Sequence, residues 1–261
     1  MDKMEAVDKG LEMPLIGGFE LDIPPATFRA PNLTPDKETG IGNFTDGQIA
    51  RAMRYSVTHR NKVMFPLMPF QNLSDEDVIA VISFLRAQPA VKNMVKPTEF
   101  KFLGKALIAL GAIKPTGPIG TPVKSIKIDS SIAYGAYLAN SVANCVGCHT
   151  ERDLKTGKNI GAPFAGGLTF EASDASGGYT YVTPNITPDK ETGVMANWSE
   201  KAFINRMRGG RLFKTSHMPW GSFAKMNNLE LKALYRYLNS LTPVKREVAK
   251  TAYGPGEALP K

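Results

Sequence analysis

The sequence predicts a mainly α-helical protein built as two similar domains in tandem, the first of them incomplete. Three observations predict it. The run Asn32-Leu33-Thr34-Pro35-Asp36-Lys37-Glu38-Thr39-Gly40 returns as Asn185-Ile186-Thr187-Pro188-Asp189-Lys190-Glu191-Thr192-Gly193, at an offset of 153, and such self-similarity marks a repeated structural unit. Each copy ends in an amphipathic helical pattern, Ser74 to Gln88 and Asn227 to Leu241. The second copy alone contains the run Cys145-Val146-Gly147-Cys148-His149.

In chain order, residues 1–91 form the first copy. Gly17-Gly18 matches Gly166-Gly167, and Phe65-Pro66-Leu67-Met68-Pro69-Phe70 matches the segment ending Met218-Pro219-Trp220. Val78, Val81, Ile82 and Leu85 share one face of the terminal helix, and Ser74 with Asp77 predicts an N-cap. Residues 92–129 read as a connector. Its apolar stretch Phe102 to Ile113, broken by Lys105, is suited to a domain interface or a membrane surface. The second domain, 130–261, opens with a helix over Ile132 to Cys145, in which Gly135 permits the close approach of another helix. Cys148 to Gly167 is loop, and Tyr179 to Pro188 is extended. Ser199 caps a helix that runs through Arg208 and stops at Gly209-Gly210. After the Met218 loop, Asn227 with Glu230 caps the last helix, whose buried face is Leu231, Leu234, Tyr235 and Leu238.

The Cys-x-x-Cys-His spacing is that of c-type haem attachment: two thiols for two vinyl groups, and a histidine placed under the iron. A redox-active dithiol wants a strand-to-helix context, and half a zinc site wants two further ligands nearby; neither is visible. Cys145 and Cys148 are the only cysteines in the chain, so neither has a disulfide partner elsewhere. A His/Met cytochrome iron takes a thioether on its opposite face, which raises the reduction potential. Met218 lies 69 positions after His149, in Ser216-His217-Met218-Pro219-Trp220, where Pro219 stiffens the loop. His217 is the rival ligand, and neighbours in an extended loop point opposite ways.

These residues together resemble bacterial di-haem cytochromes c with two class I domains in tandem, similar to the cytochrome subunits of membrane-associated dehydrogenases. The likeness rests on Tyr137-Leu138-Ala139-Asn140 through Thr150, both Asn-x-Thr-Pro-Asp loops, both Met-Pro-aromatic loops and both terminal helices. It implies haem c bound by Cys145 and Cys148, with His149 and Met218 as axial ligands, and a fold of tandem class I cytochrome c-like domains, mainly α. Asn185, Arg206, Arg211 and Trp220 are further candidates to contact the haem, an arginine by pairing with a propionate. Tyr181, Trp198, Trp220 and Tyr235 are candidate pocket walls. One haem is expected in this chain and a second in the full-length protein, where Met68 would be its ligand. On the Gly-Gly register, the first copy's Cys-x-x-Cys-His falls just upstream of residue 1. The sequence is therefore expected to lack that motif, the helix before it and an export leader; a first domain that has lost its haem is the alternative. A domain without haem has a poorly filled centre and is expected to be the less stable half.

The resemblance further implies single-electron transfer between a dehydrogenase-type donor and a cytochrome or oxidase acceptor, in the periplasm or at the outer face of the inner membrane, with membrane association open. A haem enzyme, peroxidase-like or thiosulfate-oxidising, and a haem-based sensor are the rival functions; each needs an iron that can lose its sixth ligand. The net charge of +8 raises nucleic acid as a partner. The basic residues are scattered, however, and no basic helix stands out. Lys201, Arg206, Arg208, Arg211 and Lys214 are instead candidates to steer acidic redox proteins.

Overall fold

Each Asn-x-Thr loop is pinned by its own asparagine. The computed structural model describes residues 6, 8, 9, 11, 13–65, 70–153, 158–173 and 176–260. In the second copy, Asn185 Oδ1 accepts from Thr187 N (3.0 Å) and Thr187 Oγ1 (2.7 Å), while Asn185 Nδ2 donates to Thr192 Oγ1 (3.1 Å) and Val244 O (2.8 Å). In the first copy, Asn32 Oδ1 accepts from Thr34 N (3.0 Å) and Thr34 Oγ1 (2.8 Å), and Asn32 Nδ2 donates to Thr39 Oγ1 (3.1 Å) and Val91 O (2.8 Å). Both asparagines are buried, so all their polar atoms must find partners inside the protein. Each pin ties the loop to the segment that follows the copy's terminal helix.

The described residues fall into two compact units, one from 13–126 and the other from 127–153 and 157–261 together with those of 1–12. In the first unit, β1 (Glu20–Ile23), β2 (Ala26–Arg29) and β3 (Glu99–Phe100) form an antiparallel sheet in the order β1-β2-β3. Its helices are α1 (Asp46–Tyr55), capped by a Thr45–Gln48 capping box, and α2 (Asp75–Ala87), capped by Ser74. Val78, Ile82 and Leu85 bury the inner face of α2. Val81, expected there, is 36 % exposed. Arg54 donates to the carbonyls of Gln71 and Leu73 and pairs with Asp75, joining α1 to the start of α2.

Residues 92–126, expected as a connector, instead fold into this unit. Asn93 Nδ2 donates to Ile16 O (2.7 Å), Asp75 N to Val123 O (3.0 Å) and Ile119 N to Asn72 Oδ1 (2.9 Å). The helix α3 (Phe102–Ala109) grows directly out of β3. The repeat extends beyond its last helix because the loop pin and the third strand both lie there.

The second unit repeats this frame: β4 (Thr169–Phe170), β5 (Thr180–Val182) and β6 (Ala252–Tyr253) form a sheet in the order β4-β5-β6. The mainly α expectation is therefore amended: helices carry the core, and each unit adds a small three-stranded sheet. The expected first helix is also shorter. It runs as α4 (Ile132–Tyr137), widens into a π turn over Leu138–Val142 and ends before Asn144, whose φ of 51° is left-handed. A new turn, α5 (Cys145–Cys148), then carries the cysteines. Next come α6 (Glu200–Arg208), capped by Ser199, α7 (Trp220–Phe223) and α8 (Asn228–Ser240), capped by an Asn227–Glu230 capping box. Arg208 donates to the carbonyls of Ala224 and Met226 and to Asn228 Oδ1, as Arg54 does in the first unit.

The core of the second unit is the crossing of α4 over α8. A Cβ on Gly135 would lie 2.0 Å from Ala233 O and 2.7 Å from Tyr237 Cβ. Leu231, Leu234 and Leu238 are buried beside it, and Tyr235, half-buried, donates its hydroxyl to Trp198 O (2.7 Å). Gly135→Ala is expected to force the two helices apart and cost about 3 kcal/mol, measured by urea unfolding.

The loop also carries a pH dependence. The Thr192 hydroxyl, followed by the Thr192 backbone N–H, holds the Asp189 carboxyl below its ordinary range. The unfolded chain therefore takes up that proton first. The stabilisation is whole above about pH 4 and is lost as pH falls through the folded value. Asp189→Asn is expected to lower stability at pH 7, with the gap to the unaltered protein closing at pH 3; urea midpoints at the two pH values measure it.

Candidate haem site

The motif sits on the short helix α5, where a single turn brings both thiols and the following imidazole together. Gly147 packs against the side chain of Asn144, the left-handed residue that starts the turn: a Cβ would come 2.3 Å from Asn144 Oδ1, so that side chain would have to move. Sequence reasoning passed over Asn144, whose Oδ1 is buried without a hydrogen-bond partner. Nothing in the pentapeptide spacing points to it.

His149 is 8 % exposed, and its Nδ1 lies 2.9 Å from Pro184 O. A carbonyl only accepts, so Nδ1 carries the proton and Nε2 keeps its lone pair for a metal. Burial holds the imidazole pKa below its ordinary value, against the opposing pull of the Pro184 carbonyl, which favours the neutral ligand form. The neighbouring Asn185 fixes that carbonyl in place. Asn185, expected to contact the haem, is 1 % exposed and has its amide occupied within the loop. It sits one residue after Pro184, in the loop that its side chain pins.

Cys145 is half-buried and Cys148 exposed. Burial, with Cys148 next in effect, pushes the Cys145 thiol up to about 12, and burial raises Cys148 as well. A redox-active dithiol needs the opposite, a lowered thiol pKa. Among the described residues, no group of three or more His, Cys, Asp or Glu could hold a metal ion. Two thiols one turn apart, followed by an imidazole with a free Nε2, fit a covalently held haem.

Met218 lies half-buried between α6 and α7. Its carbonyl accepts from Arg211 Nη1 (3.0 Å) and from Trp220 N (2.8 Å). Arg211 also donates to Ser216 O and pairs with Asp8, which accepts from Gly221 N (3.2 Å). The segment around Asp8, expected with the first domain, thus groups with this unit. His217 is engaged elsewhere: its ring stacks on Phe170 (4.7 Å) and meets Tyr181 edge-on (5.6 Å). Tyr181 binds Thr215 through its hydroxyl (2.6 Å). Arg206 lies over the Trp220 ring at 3.7 Å and donates to Gly210 O. Met68 lies outside the described residues.

The sequence matches no family model. It is similar over most of its length to curated cytochromes. The cytochrome c subunit of alcohol dehydrogenase (quinone) from Gluconobacter oxydans is 28 % identical over 254 residues, 88 % of this chain and 50 % of the relative. The fructose dehydrogenase cytochrome subunit from Gluconobacter japonicus is 28 % identical over 252 residues, 91 % of this chain and 49 % of the relative. A diheme cytochrome c-type protein from Cereibacter sphaeroides is 26 % identical over 195 residues, 72 % of this chain and 64 % of the relative. The chain spans about half the length of the first two. With its Cys-x-x-Cys-His turn and a histidine whose Nε2 keeps its lone pair, the chain is similar to cytochrome c subunits of dehydrogenases and to a diheme cytochrome c.

Proposed function

We propose that the chain is an electron carrier. Cys145 and Cys148 hold haem c by thioether bonds, and His149 Nε2 and the Met218 thioether are the axial ligands. It passes single electrons from a dehydrogenase-type donor to a cytochrome or oxidase acceptor, in the periplasm or at the outer face of the inner membrane. The observation that carries this reading is the His149–Pro184 hydrogen bond, which commits the imidazole to one tautomer and one orientation. Bound there, haem supplies a one-electron ferric–ferrous couple. The protein's part is to hold the ligands and exclude water. Arg211 fixes the backbone of Met218, and the aromatic stack keeps the His217 ring on Phe170. That occupation of His217 favours Met218 as the second ligand.

We further propose that residues 13–126 are the first of two tandem class I domains. Support comes from the shared frame and from one difference. On the repeat register, Val81 and Phe84 of α2 correspond to Leu234 and Tyr237 of α8, whose face receives α4. In the first unit Phe84 is 57 % exposed and Val81 36 %. A helix equivalent to α4, preceding a Cys-x-x-Cys-His motif, would cover them.

Expressed with a haem-attachment system, the 261-residue chain is expected to carry one covalent haem, counted by pyridine haemochrome and by intact mass; a mass without haem overturns the reading. Met218→Ala is expected to turn a low-spin ferric spectrum high-spin, abolish the methionine–iron charge-transfer band, lower the potential and admit carbon monoxide to the ferrous form. An unchanged spectrum would remove Met218 as the ligand. Rapid carbon monoxide binding before any substitution would favour a haem enzyme or sensor.

A further inference from the structure

The helix α3 (Phe102–Ala109) buries one face and leaves the other bare. On the buried side, Gly104 sits so close to the β1–β2 turn that a Cβ would lie 2.1 Å from Pro25 O. Lys101 N donates to Pro25 O (3.0 Å), and Ile113 closes the far end at 9 % exposure. On the other side, Phe102 is 88 % exposed, Leu103 38 % and Leu110 83 %. At 100° per residue, Phe102, Leu103, Ala106, Ala109 and Leu110 fall within an arc of about 120° pointing away from Gly104. Lys105 stands exposed at the rim of that arc, and Lys114 is exposed just beyond the helix.

Charge decides what such a face fits. Lys101 pairs with Asp22, and beyond it residues 102–126 contain three lysines and no Asp or Glu. The unit's other bare apolar face, on α2, follows a first turn of Asp75, Glu76 and Asp77, which an anionic surface would repel. Among the described residues, no helix is long and apolar enough to cross a membrane, and an eight-residue helix falls far short of the roughly 20 residues a span needs. An apolar arc edged by lysines is instead the pattern of a helix lying in the headgroup region of a bilayer, with aromatic and aliphatic side chains inserted and ammonium groups at the phosphates.

We propose that α3 is a docking surface for an anionic lipid bilayer, with Phe102, Leu103 and Leu110 inserted and Lys105 and Lys114 at the headgroups. The test is flotation of the 261-residue haem-loaded protein with vesicles of phosphatidylcholine and phosphatidylglycerol, or of phosphatidylcholine alone. Recovery is read by protein stain, so the result is independent of the electron-carrier reading. The protein is expected to float with the anionic vesicles and to be released by high salt. The F102D/L110D double variant is expected to partition at least about tenfold less, with its haem spectrum and circular dichroism unchanged. Phe84→Asp, on the α2 face, is expected to float as the unaltered protein does. The proposal is overturned if the protein stays unbound, if it binds both vesicle types equally, if F102D/L110D floats normally, or if Phe84→Asp loses binding as fully.

Discussion

One hydrogen bond organises the site: the Nδ1–H of His149 donating to the Pro184 carbonyl. It fixes the tautomer, leaves Nε2 its lone pair and holds the ring against rotation. That carbonyl is in place because the next residue, Asn185, is locked to Thr187, Thr192 and Val244. A loop with no regular structure of its own thereby becomes rigid enough to position the His149 imidazole. Its rigidity comes from satisfying every buried polar atom, a constraint that allows few alternative arrangements.

The same lock occurs in the first unit around Asn32, although no Cys-x-x-Cys-His run lies in residues 13–126. The frame thus comprises the pinned loop, the arginine that ties two helices, the three-stranded sheet and the glycine pair. Gly17 and Gly166 have φ of 74° and 73° and approach backbone carbonyls so closely that a Cβ would meet Ala30 O or Thr183 O at 2.4 Å. The two units differ at their terminal helices. The α8 face is covered by α4, while the matching face of α2 shows Val81 and Phe84 to solvent. Burying large apolar side chains is the main source of stability in small domains, so the second unit is the better consolidated.

Much of this was legible in the sequence because it depends on local chemistry. The caps at Ser74, Ser199 and Asn227 follow from a side-chain acceptor three residues before a backbone N–H. The Gly135 crossing follows from a small residue on an apolar face, and the attachment turn from its spacing. The sheets were not legible: strands of two to four residues are too short to show an alternating pattern. The break at Asn144 was hidden as well, since Ile132 to Cys145 reads as a continuous helical pattern until one residue adopts a left-handed φ.

The sequence by itself determined the repeat, the attachment motif and the position of Met218, because each is a matter of residue type and separation along the chain. Only the tertiary structure decided that Asn185 is buried and bonded to Thr187, Thr192 and Val244, that His217 is held by Phe170 and Tyr181, that Arg211 grips the Met218 backbone, and that residues 92–126 belong to the first unit. These depend on contacts between segments far apart in sequence, and neither composition nor periodicity encodes such distances.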